Sequence, residues 1–311
     1  MDMQLAGQLH DAIKSKTHLL LTGEGSSRLF PAKNCVFRWL QSEGGPFPVT
    51  ESANDLAGMD MDRFVVIGAS NSGRTKELVD LFTTLHQSGH TALFGLTCNQ
   101  DHLLTGCTHQ TILLQTGKEH AVAATKSVMA QALFYDLLFS KWKGLTIDTD
   151  LLAQHVEQAL HTELDKELVA RFAGADHIYF VGLNNGVAEE LALKANETIR
   201  KRTAYLPGSY LLHGVEEVVT RNDVVVMIDY FPAHAEKIRD IFVESIGATV
   251  VAFSGHQTPF HTIRLPVTDQ VSLPYVKLAA GWICLLQTGL YLGVDLDKPE
   301  RVRKIGNEFH A

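Results

Sequence analysis

The feature that most restricts the fold of this chain is an internal repeat. Short apolar runs recur along it: His18–Thr22, Arg63–Gly68, Ala92–Thr97 and Thr111–Gln115, then His177–Gly182, Val224–Asp229, Thr249–Ser254 and His261–Pro266. The runs are nearly continuous rather than alternating. Strands buried on both faces by crossover helices read this way. Helical patterns fill the intervals, so the chain is α/β with parallel layering. The two halves correspond at an almost constant offset. Gly23 and Gly182, 159 positions apart, each end a strand and open a helix. Phe64–Gly68 and Val224–Ile228 are strands 160 apart, and Gly89 and Gly247, 158 apart, each precede the next strand. A period this long signals a duplicated domain rather than a solenoid. The expected division is 1–147 and 148–311, with the linker in Lys143–Asp150 and one long helix, Leu151–Phe172, opening the second half.

Charge and composition remove several classes of function. The 27 basic and 35 acidic residues leave a net charge of −8, which argues against a nucleic-acid partner. A small anion is still compatible, because a local site can oppose the net charge. No apolar run reaches the length of a membrane helix, and the first residues lack the basic and apolar regions of a signal peptide. Cys35, Cys98, Cys107 and Cys284 form no C-x-x-C pair, so free thiols in a reducing cytoplasm are expected. None of the 15 histidines falls into a tight metal-ligand spacing, and neither a metal nor any other cofactor is expected.

The halves diverge where ligands bind in open parallel sheets, at the turns after the strands. The first-strand turn reads Gly23-Glu24-Gly25-Ser26-Ser27 in the first half and Gly182-Leu183-Asn184-Asn185-Gly186 in the second. The second-strand turn reads Ala69-Ser70-Asn71-Ser72-Gly73-Arg74-Thr75, against Tyr230-Phe231-Pro232-Ala233-His234. Only the first half clusters hydroxyls at both turns. Helix N-termini offer free N–H groups and a positive dipole end, hydroxyls add neutral donors, and Arg74 can add charge, a combination that suits a phosphate. Such residues also serve as ordinary helix caps. Two such turns in one copy, both lost from the duplicate, favour the phosphate site. No acidic residue follows about 20 positions on, and no G-x-x-x-x-G-K-[ST] run is present, so dinucleotides and nucleoside triphosphates are disfavoured.

The run Ala69-Ser-Asn-Ser-Gly-Arg-Thr-Lys-Glu77 resembles the S-x-S-G-x-T phosphosugar motif of the sugar isomerase (SIS) domain. Gly25-Ser26-Ser27 resembles that family's G-T-S turn, and Glu119-His-Ala-Val-Ala-Ala-Thr-Lys126 resembles its E-x-x-V-A-S-T-K segment, which closes the sugar pocket. The layout is similar to the tandem isomerase half of glucosamine-6-phosphate synthase and to the fructosamine-6-phosphate deglycases. The resemblance implies two tandem doubly wound, flavodoxin-like parallel-sheet domains. It implies phosphate contacts from Ser26, Ser27, Ser70, Asn71, Ser72 and Thr75, and sugar contacts from Val122 and Ala124.

The second half carries ionisable groups instead. Its first crossover helix holds Glu189, Glu190, Lys194 and Glu197, and Lys194 and Glu197 share a helix face. A solvated ion pair is the plain reading of that spacing, and a packed residue the plain reading of His213 after Leu211-Leu212. K-x-x-E followed sixteen residues on by His213-Gly214 resembles the catalytic segment of the synthase's isomerase half. That resemblance implies Glu197 as the base moving a proton between C1 and C2, His213 as the ring-opening group and Lys194 as a proton shuttle at the O1/O2 end. Pro299–Lys304 resembles the family's C-terminal segment, with Lys304 on its lysine. The surround departs from the family: His213 follows Leu212, Gly214 is followed by Val215, and Arg200, Lys201 and Arg202 come directly after the helix. In the synthase the histidine comes from a neighbouring chain, which implies a homodimer with a shared active site. The first strand begins within about 20 residues, which leaves no room before it for a glutaminase domain. The expected activity is a phosphosugar aldose–ketose isomerase or an amino-sugar-phosphate deaminase or deglycase, acting on a hexose or amino-hexose 6-phosphate. The alternative is a non-catalytic phosphosugar-binding regulatory module.

Overall fold

A computed structural model describes residues 3–117, 119–266, 268–298, 300–301 and 307–309. The chain divides into two compact units. The first holds the chain up to His120, Ala124–Ile147 and the described residues 307–309; the second holds Ala121–Ala123 and Asp148–Arg301.

The first unit runs α1 (Met3–Ser15), β1 (His18–Gly23), a 3-10 turn at Gly25–Ser27, α2 (Leu29–Leu40), β2 (Phe47–Val49), β3 (Phe64–Ala69), α3 (Lys76–Gln87), β4 (Leu93–Thr97), β5 (Gln110–Leu113) and α4 (Lys126–Lys143). Its five strands are all parallel, in the order β2-β1-β3-β4-β5. The second unit runs α5 (Thr149–Leu160), α6 (Lys166–Gly174), β6 (His177–Gly182), α7 (Val187–Thr198), β7 (Arg202–Pro207), β8 (Val224–Met227), α8 (Ala235–Ile238) continuing into a π-helical turn at Arg239–Ser245, β9 (Thr249–Ser254), β10 (His261–Arg264) and α9 (Leu273–Tyr291). Its five parallel strands lie in the order β10-β9-β8-β6-β7, the same topology read from the other edge. Both sheets have the flavodoxin-like order expected of the repeat, with helices as crossovers.

Register makes the repeat quantitative. Leu19 lies opposite Val65 in the first sheet, and Ile178 opposite Val224 in the second. Both strands of the pair are therefore displaced by 159, the offset of Gly23 and Gly182. Central strands are buried throughout, as continuous apolar runs require: Leu19–Leu21, Val65–Ile67 and Val224–Met227 lie in the core.

Three sequence expectations change. The edge strands β2 and β7 were not anticipated. The first is three residues long with Pro48 at its centre, which an edge tolerates, and the second is only half-buried over most of its length. The single helix over Leu151–Phe172 is two helices. Asp148 Oδ1 caps α5 by accepting from Asp150 N and Leu151 N at 3.1 and 3.0 Å, and Asp165 Oδ1 caps α6 by accepting from Leu168 N at 2.7 Å. The break between them is pinned by Gln287, whose Oε1 accepts from Leu164 N at 3.1 Å and whose Nε2 donates to Thr162 O at 2.7 Å. Finally, residues 307–309 do not stay with the second half. They pair with the first unit, where Lys76 N donates to Asn307 O and Phe309 N donates to Arg74 O, both at 3.1 Å.

All four cysteines are free, and burial pushes the Cys35, Cys98, Cys107 and Cys284 thiols above their ordinary range. Among the described residues no helix is long and apolar enough to cross a membrane, and no group of histidine, cysteine or acidic residues is placed to hold a metal ion.

One buried histidine ties the fold to pH. His90 Nδ1 accepts from Ala92 N at 3.2 Å, and its Nε2 donates to Met61 O at 3.0 Å, a pattern only the neutral ring can make. Burial holds its pKa below the usual histidine value. Its contribution to stability is complete above about pH 6.5 and is lost as pH falls further, because the unfolded chain binds the proton more readily. Thermal melts between about pH 7.5 and 5.5 should show Tm falling on the acid side. His90→Asn keeps one acceptor and one donor and should show a shallower fall. An equal slope in both proteins would assign the acid sensitivity elsewhere.

Candidate functional site

The turns after β1 and β3 lie at the switch point of the first sheet, where connections leave to opposite faces. Gly23 is required there: a Cβ on it would lie 2.6 Å from Ala69 O. The hydroxyls after β3 form a connected set. Ser70 Oγ lies 2.7 Å from Thr75 Oγ1 and accepts from Gly73 N at 3.0 Å, while Ser72 Oγ accepts from Arg74 N at 3.2 Å. Gly73 has φ +66, a left-handed conformation that suits glycine. A hydroxyl that accepts from a backbone N–H keeps its own proton for another acceptor. The turn is therefore a group of O–H donors held by backbone amides. Ser26 and Ser27 are half-buried on the neighbouring turn, and Gln131 Nε2 on α4 lies 3.4 Å from Ser27 Oγ.

Two other residues take roles that their sequence positions did not reveal. Arg74 pairs with Asp101, Nη2 to Oδ1 at 2.6 Å, and Nε donates to Asp101 O at 3.2 Å. Its charge already has a carboxylate partner. Glu119 caps α4 from the preceding loop. Its Oε1 accepts from Thr125 N at 2.9 Å and Ser127 N at 3.2 Å, and its Oε2 accepts from Ser127 Oγ at 2.5 Å. Burial disfavours the Glu119 carboxylate, but these donors outweigh it and hold its pKa below the usual carboxylate value. Asn71 Nδ2 donates to the same carboxylate at 3.4 Å, tying the β3 turn to the head of α4. Between Glu119 and α4 lie Val122 and Ala124, both half-buried, the former grouped with the second unit and the latter with the first.

In the second unit, α7 carries a row of charges that is buried rather than solvated. Lys194 Nζ lies 3.3 Å from Glu190 Oε1 and 2.8 Å from Glu197 Oε2. The Glu190 and Lys194 side chains are 0% and 1% exposed, and Glu197 is 25% exposed at the open end. Burial pulls the Lys194 ammonium down, but Glu190 and then Glu197 outweigh it and hold its pKa above the ordinary lysine value. Sequence reasoning noted Glu190 without giving it this role. Its signal was the i,i+4 spacing to Lys194 amid Leu191, Ala192 and Ala195. His213 lies on a different element, exposed at the end of a 3-10 turn over Tyr210–Leu212, where its N–H donates to Tyr210 O at 3.0 Å. The described hydrogen bonds join Lys194 to Glu197 and do not include the His213 ring. Lys304 lies outside the described residues.

The second unit's switch point is built differently. Asp229 follows β8, and its Oδ2 accepts from Leu183 N at 2.7 Å while Lys277 Nζ donates to Oδ1 at 2.5 Å. In sequence Asp229 closes the apolar run Val224–Asp229; in the structure β8 ends at Met227 and Asp229 lies on the turn beyond it.

Residues 12–141 match the family model of the SIS domain. In sequence, the chain is 26% identical over 342 aligned positions to a glutamine–fructose-6-phosphate aminotransferase (isomerizing) of Acidithiobacillus ferridurans, covering 96% of this chain and 56% of that protein. The chain spans about half the length of the curated relatives it matches. In structure, it resembles the tagatose-6-phosphate ketose/aldose isomerase of Escherichia coli, with a TM-score of 0.77 at 20% identity, over 96% of this chain and 89% of that one. It also resembles a glucosamine-6-phosphate deaminase of Thermotoga maritima, with a TM-score of 0.75 at 19% identity, over 97% and 96%. At these identities the structural likeness is one of fold. The first unit therefore carries the SIS domain match, and the chain as a whole shares its two-sheet α/β fold with these phosphosugar enzymes.

Proposed function

We propose that the chain is a phosphosugar enzyme, an aldose–ketose isomerase or an amino-sugar-phosphate deaminase or deglycase, working by proton transfer between C1 and C2. The observation that carries this reading is the buried row Glu190–Lys194–Glu197. Burying the Glu190 and Lys194 charges costs several kcal/mol, and surface pairs that merely decorate a helix are not built this way. The arrangement suits an acid–base group. Lys194 is fixed as an ammonium by Glu190, and Glu197 is a carboxylate whose open end reaches solvent. One carboxylate on one face can take the proton from one carbon and return it to the other. The names of the two structural neighbours, a ketose/aldose isomerase and an amino-sugar deaminase, belong to that chemistry.

In this reading Ser70, Ser72 and Thr75, with Ser26, Ser27 and Asn71, bind the phosphate of a hexose or amino-hexose 6-phosphate. Val122 and Ala124 border the sugar. The Ser70 and Ser72 hydroxyls accept from the backbone amides of Gly73 and Arg74, which leaves their own protons to donate. Lys194 serves the O1/O2 end, and His213 opens the ring from an exposed turn of a second copy. The active form is then a homodimer, and four free cysteines suit a reducing cytoplasm. Exposed apolar residues near the end of α9, Leu286, Leu290 and Tyr291, offer a surface for that contact.

Three substitutions separate the roles when sugar 6-phosphates are assayed. Glu197→Gln keeps the shape and removes the base, so turnover should fall roughly 10²–10⁴-fold with binding little changed. Ser72→Ala should weaken binding first, by about 1 kcal/mol per lost hydrogen bond. His213→Ala should harm cyclic substrates more than open-chain ones. Unaltered turnover in Glu197→Gln would remove Glu197 from the mechanism, and a wild type that binds sugar phosphates without turning any over would leave a phosphosugar-binding role without catalysis. Light scattering at micromolar concentration should give a dimer; a fully active monomer would place His213 outside the reaction.

A further inference from the structure

The repeat register identifies Ser70 and Asp229 as the same position in the two units, 159 apart and next to the paired strand ends. In the first unit that position opens a turn of hydroxyl donors. In the second it is a carboxylate, and the donors an external anion would use are already taken. Leu183 N donates to Asp229 Oδ2 at 2.7 Å, and Lys277 Nζ donates to Oδ1 at 2.5 Å. Asp229 is 7% exposed and Lys277 8%. Gly182 leaves the space: a Cβ there would lie 2.8 Å from Asp229 Oδ2. At the head of α7, Val187 N is taken by Asn185 Oδ1 at 3.2 Å.

A backbone amide and a buried ammonium converging at a strand-to-helix turn are the elements of an oxyanion site. We propose that the second unit retains an anion site that Asp229 closes from within, and that removing this carboxylate opens it to a tetrahedral oxyanion such as a phosphate group. The chain then takes one phosphate ligand, in the first unit, because the second unit supplies its own anion. Only the choice of phosphate as ligand rests on the function proposed above. Glu189 stands near the same turn, where it and Asp229 both act on the Tyr205 phenol, so the opened site carries one opposing charge. It should bind more weakly than a site without that charge.

The test is titration calorimetry of the full chain with inorganic phosphate. The wild type should bind one phosphate per chain. Asp229→Ser, which restores the residue type of the first unit, should bind two, and Asp229→Ser combined with Lys277→Met should return to one. Far-UV circular dichroism checks that each variant is folded. Should Asp229→Ser be unstable, its melting is followed against phosphate concentration. An unpaired Lys277 awaiting an anion makes the variant's Tm rise more steeply with phosphate than the wild type's. A folded Asp229→Ser protein binding no more phosphate than the wild type overturns the proposal, as does a variant that phosphate stabilises no more than wild type or that fails to refold. The two readings fail separately. No phosphate in the wild type with one in Asp229→Ser removes the role of Ser70 and Ser72 and leaves the second site standing.

Discussion

Parallel strands cannot be joined by tight turns, and this governs the rest of the molecule. Each strand must send the chain over one face of the sheet and back before the next begins. In the order 2-1-3-4-5, the connections from the two neighbouring central strands leave to opposite faces. Their turns separate at the sheet edge and leave backbone N–H groups facing a crevice. Gly23 and Gly182 mark the positions where this separation starts: a side chain on Gly23 would meet the Ala69 carbonyl of the neighbour strand, and one on Gly182 the Asp229 carboxylate and Ala188 of α7. Both units inherit the same crevice from the same constraint.

The units fill that crevice by opposite chemical means. In the first, the Ser70 and Ser72 oxygens accept from the turn's amides, and protons are left over. In the second, a carboxylate accepts from the amide and from a lysine, and nothing is left over. The Glu119 carboxylate of the first unit is spent on capping α4. The second unit also carries a row of paired charges along α7, Glu190, Lys194 and Glu197.

How much of this could be read from the residues depended on whether the signal was local. The central strands were legible because continuous apolar runs have few other readings, and the hydroxyl turns because the repeat supplied an internal comparison. The edge strands β2 and β7 were not: one carries a proline and the other is half-exposed, so neither shows the pattern of a buried strand. The break in the helix over Leu151–Phe172 was present as Asp165, a cap residue three positions before Leu168, but an acidic residue in a charged helix face hides easily. The Lys194–Glu197 spacing was visible, yet its burial was not. Burial is decided by what packs against a helix, and Glu190 becomes significant only once it is 0% exposed. Asp229 was hidden for a different reason. Its partners Leu183 and Lys277 lie 46 and 48 positions away, and no local pattern links them.

Residues 307–309 return to the first unit and form an antiparallel bridge with it, Thr75 opposite Glu308. Asn307 and Phe309 hold the backbone on either side, and the Phe309 ring packs on the core beneath. In the order of synthesis, the segment 74–76 leaves the ribosome well before its partner at 307–309. Domains on a growing chain tend to fold as they emerge, N-terminal first. The first unit can collapse around its sheet, but the stretch that carries Thr75 stays without this partner until the second unit has been made. Full assembly of that turn therefore reports that translation has passed residue 309.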